Sequence, residues 1–119
     1  MNWLRNSVLP FMFCLSATSA HAEASAEEFL RMIDSGNSTF KLVLNSYVNG
    51  MDWANTSLQL KTGKRLYCKP DRLPETEDQN VAILRQLVEK LPSAAKQPAG
   101  LAMFFALKYA FPCPDGLGI

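Results

Sequence analysis

The chain has 119 residues, with 12 Lys and Arg against 11 Asp and Glu, and a single histidine. This length is enough for one compact domain with a modest core and too short for two. The formal net charge of +1 is too small to attract the phosphates of a nucleic acid or an anionic membrane surface. We therefore expect neither a nucleic acid nor a membrane as a partner of the folded domain.

The first 22 residues have the pattern of a secretory signal peptide. Arg5 precedes an uncharged, mostly apolar run over residues 7–16, which is too short to span a bilayer. Ala20-His21-Ala22 then places small residues at the first and third positions before a cut. This arrangement predicts cleavage ahead of Glu23, with cleavage after Ala20 as the alternative. We expect residues 1–22 to be removed and residues 23–119 to form the exported domain.

Three cysteines are present, and cleavage would remove Cys14 and leave Cys68 and Cys113. Two thiols in an oxidising compartment usually pair. Their bond would close a loop of about 45 residues, for which the chain-entropy estimate is about 4 kcal/mol. The alternative is a pair of reactive or metal-binding thiols, but tetrahedral zinc needs further Cys or His ligands, and none would remain.

Cleavage would also remove His21, the one imidazole available as a general base or metal ligand. The densest acidic group, Glu75, Glu77 and Asp78, lies at the start of a predicted helix, where carboxylates complement the helix dipole. A carboxylate pair for glycoside hydrolysis is the alternative interpretation. The sequence therefore predicts a binding protein and not an enzyme, without a catalytic residue, metal site or cofactor.

Hydrophobic periodicity predicts four helices. The first runs from about Ser25 to Ile33 and the second from Ser38 to about Leu60. Gly50 in the second helix costs about 1 kcal/mol of helix propensity, so we expect another backbone to pack closely there. The apolar stripe of the second helix consists of Phe40, Val43, Leu44, Tyr47, Met51, Ala54 and Leu58. The opposite, polar side carries Lys41, Asn45, Asp52, Asn55 and Gln59.

A turn follows the second helix and carries three basic residues, Lys61, Lys64 and Arg65. Such a cluster is either solvated or in contact with an acidic partner. The next residues, 66–70, are expected to be extended and to lead into a polar loop.

Thr76 and Gln79 match a capping box, which predicts the start of the third helix. Pro98 is expected at the first position of the fourth helix, which ends near Ala110. The fourth helix is apolar on nearly every side, so it should lie centrally or form an oligomer interface. We expect the chain beyond Asp115 to be loose. The resulting prediction is an all-α domain of four helices with one disulfide.

Several short motifs follow one another in residues 24–114, and together they resemble the Tai/Rap family of immunity proteins. The motifs are Tyr47, Gly50, Tyr67-Cys68-Lys69-Pro70, Gln79, Val88, Leu91-Pro92, Ala106-Leu107 and Phe111-Pro112-Cys113. The resemblance implies a small helical periplasmic protein, in many members a homodimer, that protects bacteria from a peptidoglycan amidase delivered by type VI secretion. Members commonly carry another cysteine pair between the first two helices, where this chain has Met32-Ile33 and Leu44.

The partner implied by this resemblance is an amidase effector. Our candidate for the segment that contacts it lies between two prolines and consists of Ser93, Ala94, Ala95, Lys96 and Gln97. A plain helix connection is the alternative. Trp53 and Tyr47 are further candidates, because aromatic residues often carry interface energy, although the position of Tyr47 in the helical stripe favours the core.

Two other functions fit the same features. Acid-stress chaperones of the HdeA type are also small, helical and held by one disulfide, and residues 26–30 resemble their start. A member of the immunity family that has lost its toxin partner would carry the same motifs.

Overall fold

The computed structural model describes residues 23–71, 73 and 75–119, so the predicted signal peptide lies outside the described residues. The described chain confirms the predicted all-α class. Its helices are α1 (Ala26–Asp34), α2 (Ser38–Thr62), α3 (Glu77–Lys90) and α4 (Ala99–Ala110), with a 3₁₀ turn at Pro92–Lys96. None of these helices combines the length and apolar character needed to cross a bilayer.

Side-chain caps fix where three of the helices begin. Ser25 Oγ accepts a hydrogen bond from Glu28 N at 3.3 Å, and Asn37 Oδ1 accepts one from Thr39 N at 3.0 Å. Thr76 Oγ1 accepts a bond from Gln79 N at 3.1 Å, which confirms the predicted cap of α3. These bonds satisfy amide groups that have no partner within the helix.

Two helix ends differ slightly from the sequence prediction. Pro98 is the residue before α4 and not its first residue. α2 continues to Thr62, two residues beyond the predicted end, and stops at Gly63, whose φ of 72° lies in the left-handed region. Glycine adopts this conformation without a steric penalty, and its N–H bonds to Gln59 O at 2.8 Å.

The core lies where the four helices meet, and α4 contacts each of the other three. One face of α4 buries its apolar residues, which agrees with a central position. A second stripe of the helix remains exposed, because Leu101, Phe105 and Tyr109 follow one another at four-residue spacing on its outer side. The largest fully buried side chains are Tyr67, Leu44, Leu84, Met103, Leu107 and Val48.

Two expectations about packing are wrong. Gly50 is exposed, and a Cβ placed on it would meet no heavy atom within 4 Å outside its own stretch of helix, so no backbone among the described residues packs there. The end of the chain is also not loose. Arg65 N donates to Leu117 O at 2.8 Å and Ile119 N donates to Arg65 O at 3.1 Å, so residues 117–119 pair with the turn after α2.

Candidate partner-binding surfaces

The predicted disulfide joins the segment after α2 to the end of α4. Cys68 and Cys113 are bonded with a Cα–Cα distance of 4.9 Å, which confirms the pairing expected from the cysteine count. Cys68 N also donates to Phe111 O at 2.9 Å. We call residues 65–70 the strap, because this segment crosses from α2 to α4.

Asn55 of α2 holds the strap in place. Its Nδ2 donates to Tyr67 O at 2.8 Å, and its Oδ1 accepts from Leu66 N at 2.6 Å. The buried side-chain amide thus binds both backbone groups, as a neighbouring strand would, and leaves neither without a partner. Helical periodicity places Asn55 on the polar side of α2 and does not predict this role, since no local pattern separates a solvated Asn from a buried one.

Charged groups on either side of the strap complete the attachment. Tyr67 is only 1% exposed, and its hydroxyl donates to Asp52 Oδ1 at 2.6 Å. Burial, together with this hydrogen bond, raises the pKa of the Tyr67 hydroxyl above its ordinary value. Lys69 Nζ lies between Asp52 Oδ2 at 2.9 Å and Glu75 Oε1 at 2.6 Å.

These groups line a shallow depression of about 280 Å³ beside α2. Lys69, whose side chain is 14% exposed, binds the carboxylates of both Asp52 and Glu75. Five of the lining residues bind one another or the backbone of the strap, so these groups attach the strap to α2: Asp52, Asn55, Tyr67, Lys69 and Glu75.

The candidate segment Ser93–Gln97 is an ordered turn held against α1. Ala26 N donates to Gln97 O at 2.9 Å, and Lys96 Nζ pairs with Glu27 Oε1 at 2.6 Å. The side chains of Ser93, Lys96 and Gln97 are exposed, whereas Ala95 is half-buried. A second depression, of about 370 Å³, adjoins this turn on α1 and is lined by Ser25, Glu27, Glu28 and Arg31.

Ala94 differs from the other members of that segment. Its side chain is buried in the core, and its backbone accepts a bond from Gln97 N at 3.1 Å within the turn. In the folded chain it fixes the turn to the body of the domain, while its neighbours provide the exposed side chains. The segment predicted as a polar connection is therefore a short helical turn with one core residue.

The two candidate aromatic residues have different surroundings. Tyr47 is half-buried, with its ring centroid 6.0 Å from that of Phe29, as its place in the stripe predicted. Trp53 is highly exposed and lies beside Asp52, which Lys69 links to the residues before α3. The candidate turn follows the other end of α3. At 1.5 Å rise per residue this helix is about 21 Å long, so the two candidates lie at opposite ends of α3.

No protein-family model, curated protein or solved structure matches this chain. The fold and the disulfide by themselves define a small all-α domain with one Cys68–Cys113 bond. The exposed turn at one end of α3 and the exposed end of α2 at the other are the two candidate surfaces.

Proposed function

We propose that the protein is a periplasmic immunity protein that binds and blocks a peptidoglycan amidase effector of a type VI secretion system. One observation supports this proposal more than any other. The motif segments around Cys68 and Cys113, 45 residues apart, lie side by side through the disulfide and the bond from Cys68 N to Phe111 O. Motifs that together mark one type of domain are expected to lie close to one another in the folded chain.

The Ser93–Gln97 turn is well suited to block an enzyme cleft. Its backbone bond to α1 and the buried Ala94 hold it in one conformation before binding. A rigid contact loses little conformational entropy on association, which favours tight inhibition. In this proposal the turn excludes substrate from the amidase and the inhibitor performs no chemistry of its own.

A binding and activity assay tests the proposal. Residues 23–119, which carry the core of the described chain, would be tagged and mixed with each amidase effector encoded in the same genome. Peptidoglycan cleavage would then be measured with and without the protein. We expect stoichiometric binding to one effector and loss of its cleavage activity.

Failure to bind any of these effectors would contradict the proposal. An aggregation assay with a model client at about pH 2 to 3 then distinguishes the alternatives, because an acid-stress chaperone suppresses aggregation there. A family member without a toxin partner would be inactive in both assays.

A further inference from the structure

The end of α2 presents two large apolar side chains to solvent. Leu60 and Trp53 are 83% and 76% exposed, the highest values among the large hydrophobic residues of the described chain. They are seven residues apart and therefore lie on one face, two helical turns or about 10 Å from each other. No residue of α2 after Asn55 is buried, so this end of the helix extends past the core.

The same end carries positive charge that no carboxylate of the described residues pairs with, apart from that of Lys69. Residues 53–70 contain four cations and no Asp or Glu. Lys69 is bound by Asp52 and Glu75, whereas Lys61, Lys64 and Arg65 form no ion pair with a carboxylate of the described residues. The depression beside Arg65 has one further acid on its rim, the exposed Asp71.

The position of this charge is fixed by the backbone. Both the N–H and the carbonyl of Arg65 are bonded to residues of the chain end, Leu117 and Ile119. Asn55 anchors the next two residues of the strap. Since the turn is held on both sides, ordering it on binding has a small entropic cost. We call Trp53, Leu60, Lys61, Lys64 and Arg65 the basic surface.

We propose that the basic surface is a second contact area for the amidase effector and that it fits an acidic region of that protein. This inference rests on the proposed function and deepens it by stating the chemistry of the partner. Uncompensated cations at the rim of an interface attract an oppositely charged protein and raise its association rate. Trp53 and Leu60 supply the apolar contacts that slow dissociation.

In this proposal one effector contacts both surfaces. The Trp53 edge of the basic surface lies near the residues before α3, through the contacts of Asp52, Lys69 and Glu75. The Ser93–Gln97 turn follows the other end of that helix, which is about 21 Å long at its helical rise. A standard interface buries about 800 Å² on each partner, which corresponds to a patch about 30 Å across. The proposed interface would therefore include the inhibitory turn and the Trp53 edge of the basic surface.

Association and dissociation rates measured separately test this inference. The experiment uses residues 23–119 and the effector that the wild-type protein blocks. We expect Lys64→Glu to lower the association rate about ten-fold at low salt and to weaken its salt dependence. Leu60→Ser and Trp53→Ser should instead raise the dissociation rate about ten-fold. Matched controls are Lys108→Glu, with the same change of charge on α4, and Leu42→Ser, an exposed leucine at the other end of α2.

The possible outcomes distinguish failure of the basic surface from failure of the proposed function. The basic surface would be overturned if Lys64→Glu and Lys108→Glu had equal association rates and Leu60→Ser and Leu42→Ser had equal dissociation rates. The proposed function would still stand in that case, provided that the wild-type protein blocks the effector. If the wild-type protein blocks no effector, the proposed function fails and the inference fails with it. Unchanged helical circular dichroism in every variant is the check that the differences arise at the interface.

Discussion

Asn55 shows how a single polar side chain positions a whole segment. Its amide occupies a buried position on α2 and binds Leu66 N and Tyr67 O together. Removing the amide leaves a backbone N–H and a carbonyl of the partly buried strap without their partner, and each such group costs about 1–3 kcal/mol. The strap, and with it the disulfide and the turn at Arg65, therefore depends on this residue.

We expect Asn55→Ala to lower the free energy of unfolding by about 2–4 kcal/mol, because both strap groups lose their partner. Urea unfolding followed by circular dichroism gives this value. Asn49→Ala is the control, since Asn49 is exposed on the same helix. Equal effects of the two substitutions would show that the Asn55 bonds contribute no net stability.

Tyr67 gives the domain a dependence on alkaline pH. The folded state keeps its hydroxyl protonated against Asp52, so its pKa is raised above the ordinary value of 10.0. The resulting stabilisation is complete below pH 10.0 and declines above it, because the unfolded chain releases the proton first. From this group alone, the free energy of unfolding should fall by up to about 1.4 kcal/mol per pH unit.

The comparison of Tyr67→Phe with the exposed Tyr109→Phe tests this dependence. Unfolding free energies would be measured by denaturant titration on both sides of pH 10.0, the ordinary tyrosine pKa. We expect Tyr67→Phe to flatten the alkaline decline and Tyr109→Phe to change it less. The same slope in both variants would contradict the assignment.

At the scale of elements, the strap and α4 are joined both covalently and by hydrogen bonds. Opening the disulfide removes the constraint on the unfolded chain but leaves Asn55, the Tyr67–Asp52 bond and the bond from Cys68 N to Phe111 O. The helices should therefore form without the bond and unfold more easily.

We expect Cys68→Ala or Cys113→Ala to lower the unfolding free energy by up to about 4 kcal/mol with little change in helical circular dichroism at low temperature. Thermal or denaturant unfolding measures the first effect. Non-reducing mass measurement of the wild-type protein should give a value two hydrogens below that of the dithiol. An unfolding transition that stays the same in the variants would mean that the bond is dispensable.

The Ser93–Gln97 turn allows side chains to be changed without loss of its shape. Gln97 holds α1 through its backbone carbonyl, and the turn is fixed by buried Ala94. We expect Lys96→Ala with Gln97→Ala to weaken inhibition of the amidase about ten-fold or more, because exposed contacts are removed. The inhibition constant in the peptidoglycan assay measures this, with Lys90→Ala as the control. Full inhibition by the double variant would place the contact elsewhere.

At the scale of the whole molecule, local sequence signals predicted the helices but did not predict contacts between residues that are distant in the sequence. The Thr76 cap and the helical periodicity are properties of a few adjacent residues, and they placed the helices to within a few positions. The pairing of residues 117–119 with Arg65 joins parts of the chain more than fifty residues apart. The expectation of a loose chain end was wrong for that reason.

The candidate surfaces, like the fold, were predicted only in part. The cysteine count predicted the disulfide, and the two prolines indicated the turn at 93–97. The three basic residues were predicted as one cluster, solvated or in contact with an acidic partner, and Trp53 was noted separately. Their common surface depends on the strap and the chain end, which hold Arg65 at the tip of α2. The polar side of α2 was assigned to solvent, although Asn55 is buried there and Asp52 binds Tyr67 and Lys69.

The Cys68–Cys113 bond also changes how the chain is connected. Residues 68–113 form a closed covalent ring that contains α3, the Ser93–Gln97 turn and α4, while α1 and α2 precede it. A protease that cuts one peptide bond inside this ring opens it without releasing a fragment. The two pieces stay tethered at the strap, so a nicked molecule keeps all four helices together until the disulfide is reduced.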